Sequence, residues 1–128
     1  MQHAPRYDDV GAEVLESLEL SLRRAEARGI PRDRLWVDPG IGFGKRKEQN
    51  SLILARLSEL ASLDVPILVG PSRKQFLAHA TPEETRFATA AAVAASILNG
   101  AHIVRVHDLR EMRAAADVAD EILRAGEE

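Results

Sequence analysis

Two short apolar runs, and a third in which Arg105 stands among Ile103, Val104 and Val106, each give way at once to glycine or polar residues and restrict what this chain can fold into. Leu35-Trp36-Val37 leads into Asp38-Pro39-Gly40-Ile41-Gly42-Phe43-Gly44-Lys45. Val65-Pro66-Ile67-Leu68-Val69 leads into Gly70-Pro71-Ser72-Arg73-Lys74, and the run over 103–106 leads into His107-Asp108. Runs this short, bounded by Gly, Pro and Asp, read as strands that hand over to loops. Pro66 belongs at the start of its strand, because further in it would remove a ladder donor.

The intervening stretches carry helical spacing. Residues 8–29 place Val10, Val14, Leu18, Leu22 and Ala25 three or four apart, with Asp8 and Asp9 at the front and Gly29 closing before Pro31. A second helix is predicted over 48–63, with Leu52, Ala55, Leu57 and Leu60 on its apolar side. A third spans 83–98, opened by Thr81-Pro82-Glu83-Glu84 and closed by Asn99-Gly100. Its run over 88–96 is apolar nearly all round, which predicts packing on more than one side. A fourth helix covers 109–125. Helices alternating with strands predict an α/β fold with a parallel sheet, whose ligand edge lies at the carboxyl ends of the strands.

Composition narrows the function classes. At 128 residues the chain is the size of one domain, without linker, repeat or internal boundary, so 1–128 reads as a single unit. Roughly two-thirds of the extended chain's surface can be buried at this size. The net charge of -3 gives no electrostatic case for nucleic acid or a membrane surface. With no cysteine, disulfides and thiolate metal sites are excluded. No apolar stretch approaches the ~18 residues of a membrane span, and the first residues do not read as a signal peptide, so the expectation is a soluble, cytoplasmic protein.

The strand ends gather Asp38, Lys45, Lys74, Arg105 and His107, a set suited to an anionic, nitrogen-rich substrate. Alternation puts Ile103, Arg105 and His107 on one face of the last strand, with Val104 and Val106 on the other. The same residues also fit plainer uses: Arg105 paired with a carboxylate such as Asp108, His107 an ordinary loop residue. Asp38, at a strand end where backbone pairing stops, fits an Asx-turn ahead of Pro39-Gly40. Gly40, Gly42 and Gly44 permit close backbone approach, and Phe43 can cover a flat ring; the spacing is not that of a dinucleotide fingerprint.

Taken together, the segments 38–45, 70–74 and 100–108 resemble dihydropteroate synthase, the folate-pathway enzyme. Tyr7-Asp8-Asp9-Val10, the helix after it and Ala27-Arg28-Gly29-Ile30 also fit the second half of that family, and Met1-Gln2 resembles the loop after its fifth strand. The resemblance implies a partial (β/α)₈ barrel, about strands six to eight with their helices. It implies condensation of 6-hydroxymethyl-7,8-dihydropterin diphosphate with p-aminobenzoate. The implied roles are diphosphate binding by Arg105 and His107 and pterin recognition by Asp38. Lys74 contacts the pterin carbonyl and borders the p-aminobenzoate pocket, which Ser72 also faces. Gly42, Phe43 and Gly70 line the substrate site, with Lys74, Arg105 and His107 as the catalytic set; Lys45 and Arg73 receive no firm role. Mg²⁺ is implied for the family, but its protein ligands belong to a first half that this sequence does not match. That leads to three expectations: the isolated chain is inactive, it self-associates or pairs with the missing half, and any metal ligand lies elsewhere. Two other readings stay open, a pterin-binding methyltransferase and a non-catalytic pterin-binding or association module.

Overall fold

The computed structural model describes residues 7–42, 46–72, 74 and 77–127, with backbone only for 7–9. Helix α1 runs Tyr7–Ala27, α2 Lys47–Ala55, α3 Pro82–Leu98 and α4 Leu109–Gly126; the strands are β1 (Leu68–Val69) and β2 (Ile103–Val104). The two strands pair in parallel, Leu68 opposite Ile103 and Val69 opposite Val104. On the other side of β1, Val37 forms a single parallel bridge to Ile67.

The predicted strand at 35–37 is therefore reduced to one residue. Val37 donates to the Pro66 carbonyl at 3.0 Å and accepts from Leu68 N–H at 2.8 Å. Pairing stops there because Pro39 has no N–H and Asp38 turns the chain. The predicted strands at 65–69 and 103–106 are likewise short, although Arg105 N–H still reaches the Val69 carbonyl at 2.9 Å. Where β2 begins, the Ile67 N–H donates to Nδ1 of His102 at 3.1 Å, so a side chain supplies the acceptor the ladder lacks. The result is a helix-rich chain around a narrow parallel sheet.

The helix ends follow the local signals. At the end of α1, Gly29 N–H bonds the Glu26 carbonyl and Ile30 N–H the Ala25 carbonyl, with Gly29 at φ 93°; this is the Schellman pattern that a glycine at C′ allows. At the start of α3, Thr81 Oγ1 accepts from Glu84 N–H at 3.1 Å and Glu84 Oε1 accepts from Thr81 N–H at 3.2 Å, with Pro82 in the first turn.

The helix predicted over 48–63 is two pieces. It is α-helical to Ala55 and a 3₁₀ helix over Leu57–Leu63. Leu57, Leu60 and Leu63 are all buried. Their spacing of three matches the three residues per turn of a 3₁₀ helix, which stacks them on one face. Ala55, expected on the apolar side, is exposed.

The core lies between the helices and one face of the sheet. Val37, Ile67 and Val69 are buried there with Val10, Leu22, Ile53, Leu54 and the three leucines of the 3₁₀ stretch. The run over 88–96 buries Thr89, Ala92, Val93 and Ser96, while Ala91 is exposed, so α3 is covered on part of its circumference only. Arg32 locks the end of α1 to this core: its Nε and Nη2 donate to the Leu63 carbonyl at 3.2 and 2.9 Å, and its Nη1 to Glu26 at 3.1 Å.

Candidate functional site

Register decides which face each candidate residue takes. Val37, Ile67 and Val69 point into the core, so their neighbours Trp36, Asp38, Leu68, Gly70, Ile103 and Arg105 share the opposite face. That face is open: Trp36 is 60% exposed, Asp38, Arg105 and His107 are exposed, and Leu68 and Ile103 are half-buried. The polar candidates thus stand together at the carboxyl ends of the strands, on a different side from the core.

Arg105 is seated on Gly70. A methyl at Gly70 would lie 2.8 Å from Nη2 of Arg105 and 3.3 Å from Cζ, so the guanidinium rests against bare backbone. Asp108, its alternative partner from the sequence, pairs instead with Arg86 at 3.6 Å, and no acidic partner of Arg105 is found among the described residues. The Arg86–Asp108 pair lines a neighbouring cleft of about 450 Å³ with His79, Thr81 and Thr85, which holds none of the candidate residues.

His107 is held by Ser72. The Ser72 hydroxyl oxygen accepts from the His107 backbone N–H at 2.8 Å and lies 2.9 Å from ring Nδ1. Ser72 is 6% exposed, so it serves His107 from below the surface.

Lys74 lies across Gly42. A Cβ at Gly42 would meet Cδ of Lys74 at 2.8 Å, and Gly42 has φ 88°, so both space and backbone require glycine. Asp38 makes the Asx-turn open to it in the sequence: its Oδ1 accepts from Gly40 N–H at 2.8 Å. That bond fixes the carboxylate without using its other oxygen, so the turn and a ligand contact are compatible. Phe43, Lys45, Arg73 and Met1-Gln2 lie outside the described residues.

Asn50 was not singled out from the sequence. It is 1% exposed, its Oδ1 accepts from Gly42 N–H at 2.8 Å, and its Nδ2 donates to the Arg46 carbonyl at 3.0 Å. One buried amide therefore ties both ends of the segment around 43–45 to α2. The available signal was a lone amide in the apolar stretch just after a glycine-rich loop.

A guanidinium seated on Gly70, an imidazole braced by Ser72, a lysine across Gly42 and a turn-fixed carboxylate can donate to anionic oxygens and accept from N–H groups. The chain belongs to the pterin-binding enzyme family, whose model matches residues 1–107. Within that family it is similar to dihydropteroate synthases. The Escherichia coli K12 enzyme is 42% identical over 130 residues, covering 99% of this chain and 46% of that protein. The mitochondrial folate synthesis bifunctional protein of Arabidopsis thaliana is 46% identical over 132 residues, covering 93% of this chain and 24% of that protein. Among solved structures, the Coxiella burnetii dihydropteroate synthase in complex with pteroic acid superposes with a TM-score of 0.90 at 30% identity, over 95% of this chain and 46% of that one. The Xanthomonas albilineans enzyme with 4-aminobenzoic acid gives 0.85 at 39% identity, over 93% and 45%. The chain spans about half the length of the bacterial relatives it matches.

Proposed function

We propose that this chain supplies strands six to eight of a dihydropteroate synthase barrel and, on their open face, the diphosphate-binding part of its active site. The observation that carries this is Arg105, laid over Gly70 with no acidic partner among the described residues, two positions from the Ser72-braced His107. Relatives solved with pteroic acid, 7,8-dihydropteroate and 4-aminobenzoic acid support the substrate classes.

In the reaction so assigned, the p-aminobenzoate nitrogen attacks the methylene carbon of the pterin diphosphate. A C–N bond forms, the C–O bond to diphosphate breaks, and the amine proton is lost to solvent. The aromatic amine is a neutral nucleophile and needs no strong base; the leaving diphosphate gathers negative charge and needs donors fixed in advance. Arg105 offers a planar pair of N–H groups and His107 one more. Asp38 accepts from the pterin's amino group and ring N–H, while Lys74, pressed against Gly42, donates to the ring's carbonyl. Mg²⁺ chemistry is given no residue here. Among the described residues no three His, Asp or Glu side chains assemble as a metal site, and no step runs through one.

The test is calorimetry with inorganic diphosphate and with pteroate on the chain and on Arg105→Ala. Loss of a charged hydrogen-bonding pair should weaken diphosphate binding by about tenfold or more and leave pteroate less affected. Equal diphosphate binding by both proteins would sink the assignment. Condensation itself is assayed with the chain alone and with the half of the Escherichia coli enzyme that it does not cover. Turnover only in the mixture supports a shared site, whereas pteroate binding without turnover in either supports a non-catalytic module.

A further inference from the structure

We infer that Ser72 is a positioning residue that fixes the neutral imidazole of His107 in the tautomer with its proton on Nε2, so that the neutral ring presents an N–H donor on the side away from Ser72. The inference rests on reading this face as a diphosphate site and adds how one of its donors is set.

The hydrogen-bond count of one hydroxyl carries it. Ser72 Oγ has one proton to give and two lone pairs. One lone pair is taken by the His107 backbone N–H at 2.8 Å, and the other contact of Oγ is ring Nδ1 at 2.9 Å. Were Nδ1 protonated in the neutral ring, it would donate to the second lone pair and leave the hydroxyl proton without an acceptor among the described residues. With Ser72 only 6% exposed, that is a buried orphan donor, which folded proteins avoid. If the hydroxyl instead donates to Nδ1, every group of the pair is satisfied. A neutral imidazole carries one ring proton, so that proton then sits on Nε2.

The consequence is directional. Ser72 is buried and His107 exposed, so Nδ1 faces inward and Nε2 faces the open side that Arg105 also occupies. Arg105 and His107 then offer donors only, matched to a group whose oxygens only accept. The bond from Ser72 to the His107 backbone N–H sets the position of the ring's root, and the bond to Nδ1 sets its rotation. The resemblance gives Ser72 to p-aminobenzoate, but in this structure both of its hydroxyl contacts go to His107.

The experiment reads the His107 ring nitrogens by long-range proton–nitrogen correlation on ¹⁵N-labelled chain, at an alkaline pH where imidazole is neutral. The wild type should show Nε2 protonated and Nδ1 bare. Ser72→Ala should show a mixture of tautomers, and Ser72→Thr, which keeps the hydroxyl, should restore the wild-type pattern. A wild-type ring protonated on Nδ1, or a Ser72→Ala ring unchanged from wild type, overturns the inference. Calorimetry with inorganic diphosphate supplies the second arm: Ser72→Ala should bind about tenfold more weakly and Ser72→Thr close to wild type. If Ser72→Ala shifts the tautomer but binds diphosphate as the wild type does, the positioning role fails. If the wild type shows the expected tautomer yet binds no diphosphate, the diphosphate assignment of the face fails while the tautomer assignment stands.

Discussion

Two glycines do opposite work for the two cations that rest on them. Gly70 is not in the left-handed backbone region, and what a methyl would strike is the far end of the Arg105 side chain, Nη2 at 2.8 Å. Gly70→Ala should therefore move the guanidinium and leave the fold alone. We expect diphosphate binding about tenfold weaker, with an unfolding free energy within about 0.5 kcal/mol of wild type. Gly42 combines φ 88° with a Lys74 Cδ that would stand 2.8 Å from an added methyl. Gly42→Ala should cost on the order of 1–2 kcal/mol in denaturant titration, because an L-residue there is forced into left-handed backbone. If the two alanine variants changed stability equally, the distinction between a seat for a side chain and a strained turn would be wrong.

At the scale of elements, α2 is tied to Gly42 and Arg46, and the 3₁₀ stretch after it to the core. Asn50 reaches back from α2 to Gly42 N–H and the Arg46 carbonyl, and Leu57, Leu60 and Leu63 anchor the next stretch in the core. Asn50→Ala removes the acceptor of the Gly42 N–H and empties a buried position, while the Arg46 carbonyl keeps its bond from the residue-50 backbone N–H. The expected cost is roughly 2 kcal/mol, with faster hydrogen exchange at the Gly42 amide as its local signature. Unchanged exchange at that amide would mean that Asn50 does not hold Gly42. The capping box at Thr81 does a different job: it starts α3 and so sets where the segment after β1 ends.

For the whole molecule, the consequential feature is that the sheet is buried on one side only. Trp36 at 60% exposure, with Leu68 and Ile103 half-covered beside it, forms an apolar patch on the same face as the charged residues. Leu109, Val118 and Ile122 on α4 and Phe87 on α3 are also exposed. Open strand edges and exposed apolar surface favour association. We expect the chain to self-associate, or to be marginally stable as a monomer, at low micromolar concentration. Light scattering together with urea unfolding at several protein concentrations checks this. A strict monomer with a cooperative transition independent of concentration would contradict it. Among the described residues no helix is long and apolar enough to cross a membrane.

The sequence by itself determined the helices, the parallel order of the sheet and the face on which Arg105 stands. Those follow from signals that act within a few residues: apolar spacing, a Thr-Pro-Glu-Glu start, a glycine ahead of Pro31 after α1, alternation over 103–107. It overstated the strands, because composition cannot show where a neighbour's backbone stops pairing, and it merged α2 with the 3₁₀ helix although three leucines at intervals of three marked the change. The tertiary structure decided what each polar group is bonded to. Ser72 meets His107 across 35 positions of chain, Arg105 settles on Gly70 just past the adjacent strand, and Asn50 reaches Gly42 eight positions back. Such pairings depend on which backbone segments lie side by side and how far apart. That distance is set by packing of the core, so no local pattern of residues encodes it.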